Sequence, residues 1–489
     1  MCSAQEFLLN DYAKTLFPLK TNRIVVEYGA RFIKDYIEDI LKKPEADRAF
    51  LVQNTVYAAK QNWHLRRTMK LDPVAEYYIY DVIYRNRSKF RSSFNDSRMS
   101  FGYKFKDGEP ISATSSYKAF KAAIAQYSKE YKNFICFDIA SYFNSLYHHD
   151  IVAWFSNKSV ESSDSEGLGR YLREIAGGRS IDCLPQGLYP AKMIGNDLLG
   201  FVDNYFDLRS AKLIRFMDDF YLFDDDHSKI LHDFVLIQKL LGEKGLSINP
   251  KKTGINETGH LEVDREIDNI KKRLLERRRY IVHDDYEDEE VEIDLAEDLD
   301  DDELAYIESI LERDTIEEED AELVLSVMRS HTENVMDRLD YIIDRFPNLA
   351  KNIYYFSSNV EDKEGLAKIV LDFLASSEIV QEYQLFWLGA MVEDHLMSTE
   401  RTGPLIQALY SHKSATSITK AKVLEIPDQR YGLLELRDST LKTGQSDWLS
   451  WAAAVGSRKV PIAARNYKLG YFKNSSPMNK LIYEVVSAL

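Results

Sequence analysis

Cysteine is scarce in this chain, and the little there is has no pattern. Cys2, Cys136 and Cys183 are far apart and odd in number, so they supply neither a disulfide framework nor the paired spacing of a zinc site. No apolar run approaches the ~18–20 residues that a membrane-spanning helix needs, so no membrane partner is expected. The opening Met1-Cys2-Ser3-Ala4-Gln5-Glu6 lacks the basic and apolar regions of a secretory signal. Together these absences lead to the expectation of a cytoplasmic protein in a reducing compartment.

What is present is enough for two or more domains with sizeable cores: 489 residues, 45% of them hydrophobic. The net charge of −16 is unevenly spread. Residues 1–254 hold 36 Lys and Arg against 32 Asp and Glu, whereas residues 255–489 hold 27 against 47. A mildly basic front half is compatible with polyanion binding there.

Four stretches follow from the patterning. Residues 1–130 read as mostly helical, with a basic cluster at Arg66, Arg67, Lys70, Arg85, Arg87, Lys89 and Arg91. Residues 131–254 mix short β-branched and aromatic strands with helices. Residues 255–303 read as a charged connecting helix followed by an acidic loop, since 14 of the 20 residues from Asp284 to Glu303 are acidic and like charges resist packing. Residues 304–489 carry amphipathic segments at Leu304–Leu311, Leu323–Met328, Val335–Ile343, Leu366–Leu374 and Leu385–Met391. Their recurrence predicts a stack of antiparallel helices resembling HEAT-type repeats.

The chemistry concentrates in four elements. Phe216-Met217-Asp218-Asp219 puts two carboxylates between the apolar runs Leu213 to Phe216 and Phe220 to Phe223, the pattern of a buried β-hairpin. Carboxylates at such a tip are costly to desolvate without a cation, and Mg²⁺ suits oxygen ligands that leave room for phosphates. Phe134-Ile135-Cys136-Phe137-Asp138 reads as a buried strand delivering Asp138 at its end, although Asp138 read alone fits an N-cap of the following helix better. Leu184-Pro185-Gln186-Gly187 precedes an apolar helix, Ala191 to Val202, and by itself is an ordinary turn. Leu246-Ser247-Ile248-Asn249-Pro250-Lys251-Lys252-Thr253 follows a helix from about His227 to Lys244 and by itself is a strand and turn. As a control, Asp224-Asp225-Asp226 and Asp300-Asp301-Asp302 lack paired apolar strands and are expected to face solvent.

In this order the four elements resemble the palm motifs of reverse transcriptases. Asp138 with its flanks looks like the first catalytic motif, Pro185-Gln186-Gly187 like the second, and Phe216-Met217-Asp218-Asp219 like the third, with Phe where Tyr is commoner. Leu246 to Thr253 resembles the fourth, with Ile248 in the place of its second leucine. The resemblance implies that Asp138 and Asp218 are metal ligands, with Asp219 supporting or ligating and the Ile139 carbonyl helping. Phe143 falls at the sugar-sensing aromatic, which favours deoxynucleotides. Gln186 and Gly187 would lie along the incoming nucleotide or template. Lys252 is the candidate general acid for pyrophosphate, with the adjacent Lys251 as its competitor. Cations for the triphosphate are expected from His64 to Pro73, with Arg66 and Lys70 favoured; a solvated helix face is the plain alternative for that stretch.

The fold class so implied is α+β: reverse-transcriptase-like fingers and palm, followed by an all-α HEAT-like helical-repeat domain. After Lys252 no primer grip, small thumb, connection domain, ribonuclease H or maturase segment is recognisable. A palm fused to a long helical half resembles the bacterial abortive-infection (Abi) reverse transcriptases, particularly prophage-borne enterobacterial members. Leu71-Asp72-Pro73, Tyr80-Asp81 and Tyr84-Arg85-Asn86 also look like that family. Membership would imply an antiphage DNA polymerase that uses dNTPs and Mg²⁺, with Mn²⁺ as the alternative ion. It would also imply template-independent synthesis, a single-stranded DNA product attached to a tyrosine of the protein, and homo-oligomers. Tyr12, Tyr28 and Tyr36 are the priming candidates because an N-terminal segment can reach the cleft. Two other readings stand beside this one: an RNA-templated reverse transcriptase of a retron-like or other defence system, and an inactive palm scaffold that binds phage proteins.

Overall fold

The N-terminal helices α1 (Ala4–Asp11) and α2 (Lys20–Lys42) present one apolar face each to the molecule's main core. On α2 that face is Val25, Val26, Gly29, Ile33, Tyr36, Ile37 and Ile40, the three-to-four-residue spacing of an amphipathic helix. Strands β1 (Asn54–Ala59) and β2 (Leu65–Lys70) then form an antiparallel hairpin. Helix α3 (Pro73–Arg85) starts at Asp72, whose carboxylate accepts hydrogen bonds from the Val74 and Ala75 amides at 2.9 Å. Pro73 sits at its first turn, where a missing N–H costs nothing. The chain described here is a computed structural model, which covers residues 3–42, 48–90, 95–178, 183–255, 270–271, 273–275 and 299–489.

A five-stranded sheet with the order β3-β7-β8-β6-β9 lies at the centre. Its strands are β3 (Arg98–Phe101), β6 (Asn133–Asp138), β7 (Lys212–Phe216), β8 (Asp219–Asp224) and β9 (Gly254–Ile255); β4 (Phe105–Lys106) and β5 (Glu109–Pro110) make a separate ribbon. β7 and β8 are the predicted hairpin, β6 runs antiparallel to β8, and β3 runs parallel to β7. Helices α4 (Ala113–Glu130), α5 (Tyr142–Ser145), α6 (His148–Asn157), α7 (Ser162–Ile175), α8 (Tyr189–Leu198), α9 (Gly200–Asp203) and α10 (His227–Gly242) fill the connections. Phe120 of α4 packs edge-on or tilted against Phe216 and Tyr221, and Phe137 stacks on Phe220 at 5.1 Å. The sheet is therefore held by aromatic contacts as well as by its ladder.

The C-terminal half is helical. It comprises α11 (Asp301–Leu311), α12 (Glu318–Val327), α13 (Glu333–Arg345), α14 (Ala350–Ser357), α15 (Lys363–Ser376), α16 (Glu382–Met391), α17 (Thr402–Ser411), α18 (Ser417–Leu424), α19 (Leu433–Leu441), α20 (Trp448–Gly456), α21 (Ile462–Phe472) and α22 (Pro477–Ala488). Alternate helices pack on one another: α12 on α14, α14 on α16, α16 on α18, α18 on α20 and α20 on α22. Residues between Ile307 and Leu433 build one apolar core. Leu441, Trp448, Trp451, Ile482 and Val485 join the core of the sheet and of α2 instead. No helix among the described residues is long and apolar enough to cross a membrane.

Several local expectations need correction. Residues 65–70 form a strand and not a helix face, because β1 supplies a ladder partner for each of them. Asp224 is buried, although it was expected to face solvent; it ends β8, where its carboxylate accepts the Ala211 and Asp226 amides at 2.8 Å. Asp225, Asp226 and Asp300 to Asp302 do face solvent. The end of the acidic run is helical: Asp300 caps α11, and Asp301, Asp302 and Glu303 fill its first turn, where negative charge is favoured by the helix dipole. The rest of that run, Arg91 and most of the charged connecting helix lie outside the described residues.

Candidate active site

The register of the sheet brings the separated carboxylates together. Asp138, the last residue of β6, is the cross-strand partner of Asp219, the first residue of β8. Phe216 and Asp219 pair with each other, so the hairpin turn is Met217-Asp218. The turn thus sits one residue earlier than the carboxylate pair suggested. Met217 takes a φ of +53°, a conformation that is strained for a side chain of its kind. Asp138 and Asp218 are each 8% exposed, at the rim of the core.

Asp138 is not a helix cap. The residue before α5 is Ser141, which makes no capping hydrogen bond, while Asp138 lies within the sheet. Its Oδ2 is 3.0 Å from the Lys252 ammonium. Lys252 is 63% exposed, so this ion pair is weak and easily exchanged. The Asp138 Oδ1 is buried and accepts no hydrogen bond.

The Leu246–Thr253 segment runs along the edge of β6 opposite β8, the edge on which β9 also pairs. The Ala140 amide donates to the Ser247 carbonyl at 2.8 Å, and the Asn249 amide donates to the Asp138 carbonyl at 2.9 Å. These bonds flank the bridge between Ile139 and Ile248, which makes Ile139 and Ile248 a pair that does not exchange hydrogen bonds. The Ile139 carbonyl therefore points to the opposite edge, the side of Asp218 and Asp219.

The other predicted residues fall around this centre to differing degrees. Phe143 is 4% exposed and lies against α8 at Gly195, where an added Cβ would come within 3.0 Å of its ring. The Gln186 carbonyl accepts a hydrogen bond from Thr68 Oγ1 of β2 at 2.8 Å, joining the hairpin to the second motif. Gly187 has a φ of +104° and room for no side chain, since a Cβ would stand 2.8 Å from Leu16. Arg66 is half-buried two residues from Thr68, on the same face of β2. Lys70 is turned away: it is 5% exposed and paired at 3.0 Å with the buried Glu76 of α3. Its charge is thereby committed inside the fold.

The priming candidates differ sharply. Tyr12 is buried, its hydroxyl donates to the Pro18 carbonyl at 2.7 Å, and burial drives its pKa well above the usual value. Tyr36 is 8% exposed, and burial followed by the charge of Asp72 pushes it up to about 12. Tyr28 is 57% exposed.

The sequence reading missed Arg215, which stands inside a run taken as apolar and is 1% exposed beneath the turn. A lone arginine in a buried strand was the available signal.

Among the described residues no group of three or more His, Cys, Asp and Glu side chains is arranged to hold a metal ion unaided. Mg²⁺ sites in phosphoryl transfer seldom are, because one or two carboxylates share the ion with water and substrate phosphates. A buried Oδ1 without a donor is an uncompensated cost, and a divalent cation would relieve it, so the residues present fit such an ion.

Residues 79–270 match the family model described as reverse transcriptase (RNA-dependent DNA polymerase). Among solved structures, telomerase from Candida albicans in complex with a TWJ fragment of telomeric RNA is similar at 12% identity and a TM-score of 0.33, over 79% of this chain and 70% of that one. Apo telomerase from Candida tropicalis is similar at 11% identity and a TM-score of 0.34, over 86% and 73%. No curated protein matches the chain. Enzymes of the reverse-transcriptase class bind nucleotides and nucleic acid and use divalent metals such as Mg²⁺. The match over residues 79–270 identifies a reverse-transcriptase domain, which indicates a nucleotidyltransferase.

Proposed function

We propose that the chain is an antiphage DNA polymerase of the abortive-infection type, which adds dNTPs by two-metal phosphoryl transfer to a primer that is part of the protein. The observation that carries the polymerase chemistry is the meeting of Asp138 and Asp219 in one register, with Asp218 in the adjoining turn. Asp138, Asp218 and Asp219, with the Ile139 carbonyl, would hold Mg²⁺, which supplies charge neutralisation at the reacting phosphates. Lys252, 3.0 Å from Asp138, would give a proton to the departing pyrophosphate. Phe143 and Gly195 close the space beneath the sugar. Arg66 is the fingers cation for the triphosphate, and Gln186 and Gly187 flank the nucleotide.

The abortive-infection reading rests on the front-half motifs together with a helical half in the place of a thumb. Alternate packing of α12 to α22 supports a HEAT-like array there. Such an array suits a path for one strand, and a protein primer removes the need to grip a template–primer duplex. Tyr28 is the priming residue favoured among the three, since a nucleophile must be accessible and Tyr28 is the exposed one. An RNA-templated activity is the second reading, favoured by the description of the matched family.

Purified protein incubated with Mg²⁺ and labelled dNTPs, without added nucleic acid, separates these readings. Label that migrates with the protein, collapses on proteolysis and is absent from Asp218→Asn supports self-primed synthesis; Tyr28→Phe should abolish it. Incorporation only after an RNA template and primer are added would sink the self-primed reading. Full protection against phage by Asp218→Asn would instead favour a scaffold.

A further inference from the structure

Arg215 is one residue before the Phe216–Asp219 motif and is fully enclosed, yet every part of its guanidinium is engaged. Nε donates to Asp203 Oδ1 at 2.7 Å and Nη2 to Asp203 Oδ2 at 2.6 Å, a bidentate pair. Nη1 donates to Asn196 Oδ1 at 2.6 Å, and Nη2 to the Asn196 carbonyl at 2.8 Å. The remaining reach of Nη1 goes to the Met217 carbonyl at 3.1 Å. Asn196 is tied in turn, its amide donating to the Tyr103 carbonyl at 3.1 Å. Thus one side chain bridges α8, α9 and the first residue of the turn that presents Asp218.

We infer that Arg215, anchored by Asp203 and Asn196, is a positioning residue that holds the Met217-Asp218 turn in the geometry needed for metal binding and phosphoryl transfer. This rests on the reading of Asp218 as a metal ligand. Burial opposes a charge at Arg215, and the Asp203 carboxylate more than offsets it, so the guanidinium is charged throughout the working range. A fold that needed only a filled core here would use an apolar side chain, since a buried ion pair is a poor way to gain stability. What the guanidinium adds is direction: a planar fork fixes the orientation of a carbonyl in a turn whose first residue is strained at φ +53°. A shift of ~1 Å in a reacting group can cost ~100-fold in rate.

Arg215→Lys keeps the charge and loses the fork. The expected result is a folded protein, judged by circular dichroism, whose kcat falls ~10- to 100-fold while KM for dNTP changes little. The Mg²⁺ concentration for half-maximal rate should rise, and Mn²⁺ bound in the absence of nucleotide, read by electron paramagnetic resonance, should weaken in step. Asn196→Ala leaves the Arg215–Asp203 pair intact and should reproduce this signature at smaller size; it decides the matter if Arg215→Lys does not fold. Wild-type kcat and metal dependence in the folded variants, beside an inactive Asp218→Asn, would overturn the positioning role alone. Full activity of Asp218→Asn would remove the ligand reading and this inference with it.

Discussion

Lys104 lies behind the turn, in a cavity also lined by Arg98, Ser100, Tyr103, Asp203 and Arg215. Its ammonium donates to Ser100 Oγ at 2.8 Å. Burial first, and the charge of Arg215 next, bring its pKa down from 10.5 to about 8. Between those two values the unfolded chain binds the proton and the folded chain does not. Stability must therefore rise with pH across that window, and the penalty is at its full size below pH 8. Thermal melts from pH 7 to 10 should show wild type gaining on Lys104→Met as pH rises; a constant difference would refute the assignment. Asp138 differs in kind: its Oδ2 faces Lys252, while its buried Oδ1 accepts no hydrogen bond.

At the scale of elements, the short links between motifs govern how the cleft is held. Thr68 of β2 reaches the Gln186 carbonyl, and the next residue, Gly187, adopts a φ of +104° against Leu16. Only glycine takes that conformation easily. Gly187→Ala should cost about 1–3 kcal/mol in stability and reduce incorporation, because Gln186 and its contact with β2 would move. A chemical-denaturation midpoint and a dNTP incorporation rate measured on the same preparation test both parts. The β1–β2 hairpin is held from its other side as well, where the Tyr57 amide donates to Glu382 of α16 at 2.9 Å. The fingers-like hairpin thus spans from the second motif to the helical half.

At the scale of the whole molecule, one buried charge network joins the two ends of the chain. The Glu425 carboxylate, after α18, accepts the Lys20 amide at 3.0 Å and the Thr21 amide at 2.7 Å, and so caps α2 from the far half. It also pairs at 2.9 Å with Lys422, which reaches Glu393 at 2.7 Å. All three are nearly inaccessible, so removing Glu425 leaves Lys422 with one of its two carboxylates and strips the Lys20 and Thr21 amides of their acceptor. Glu425→Ala should therefore destabilise the protein by about 3–5 kcal/mol, read as a lowered midpoint in denaturant. An unchanged midpoint would mean that the helical half is docked mainly by apolar contacts such as Val485 against Gly29.

The buried strands, the hairpin with its carboxylates and the recurrent amphipathic helices were legible because each is a local pattern: period two, an apolar–acidic break, or period 3.6. The same logic missed β2, whose Arg66 and Lys70 look like a helix face until β1 supplies a partner, and it placed the hairpin turn one residue late. It also set Lys70 at the phosphates, where the buried Glu76 holds it inside. Spacing alone could not say that Tyr12 and Tyr36 are enclosed and Tyr28 is not, because burial depends on α2 packing against helices hundreds of residues away. The sequence by itself determined which residues carry charge, strand character and carboxylate chemistry, since these belong to single side chains and their neighbours. The tertiary structure alone decided which carboxylates meet, which lysine faces Asp138 and what holds the turn, because register and burial arise only when distant segments pack.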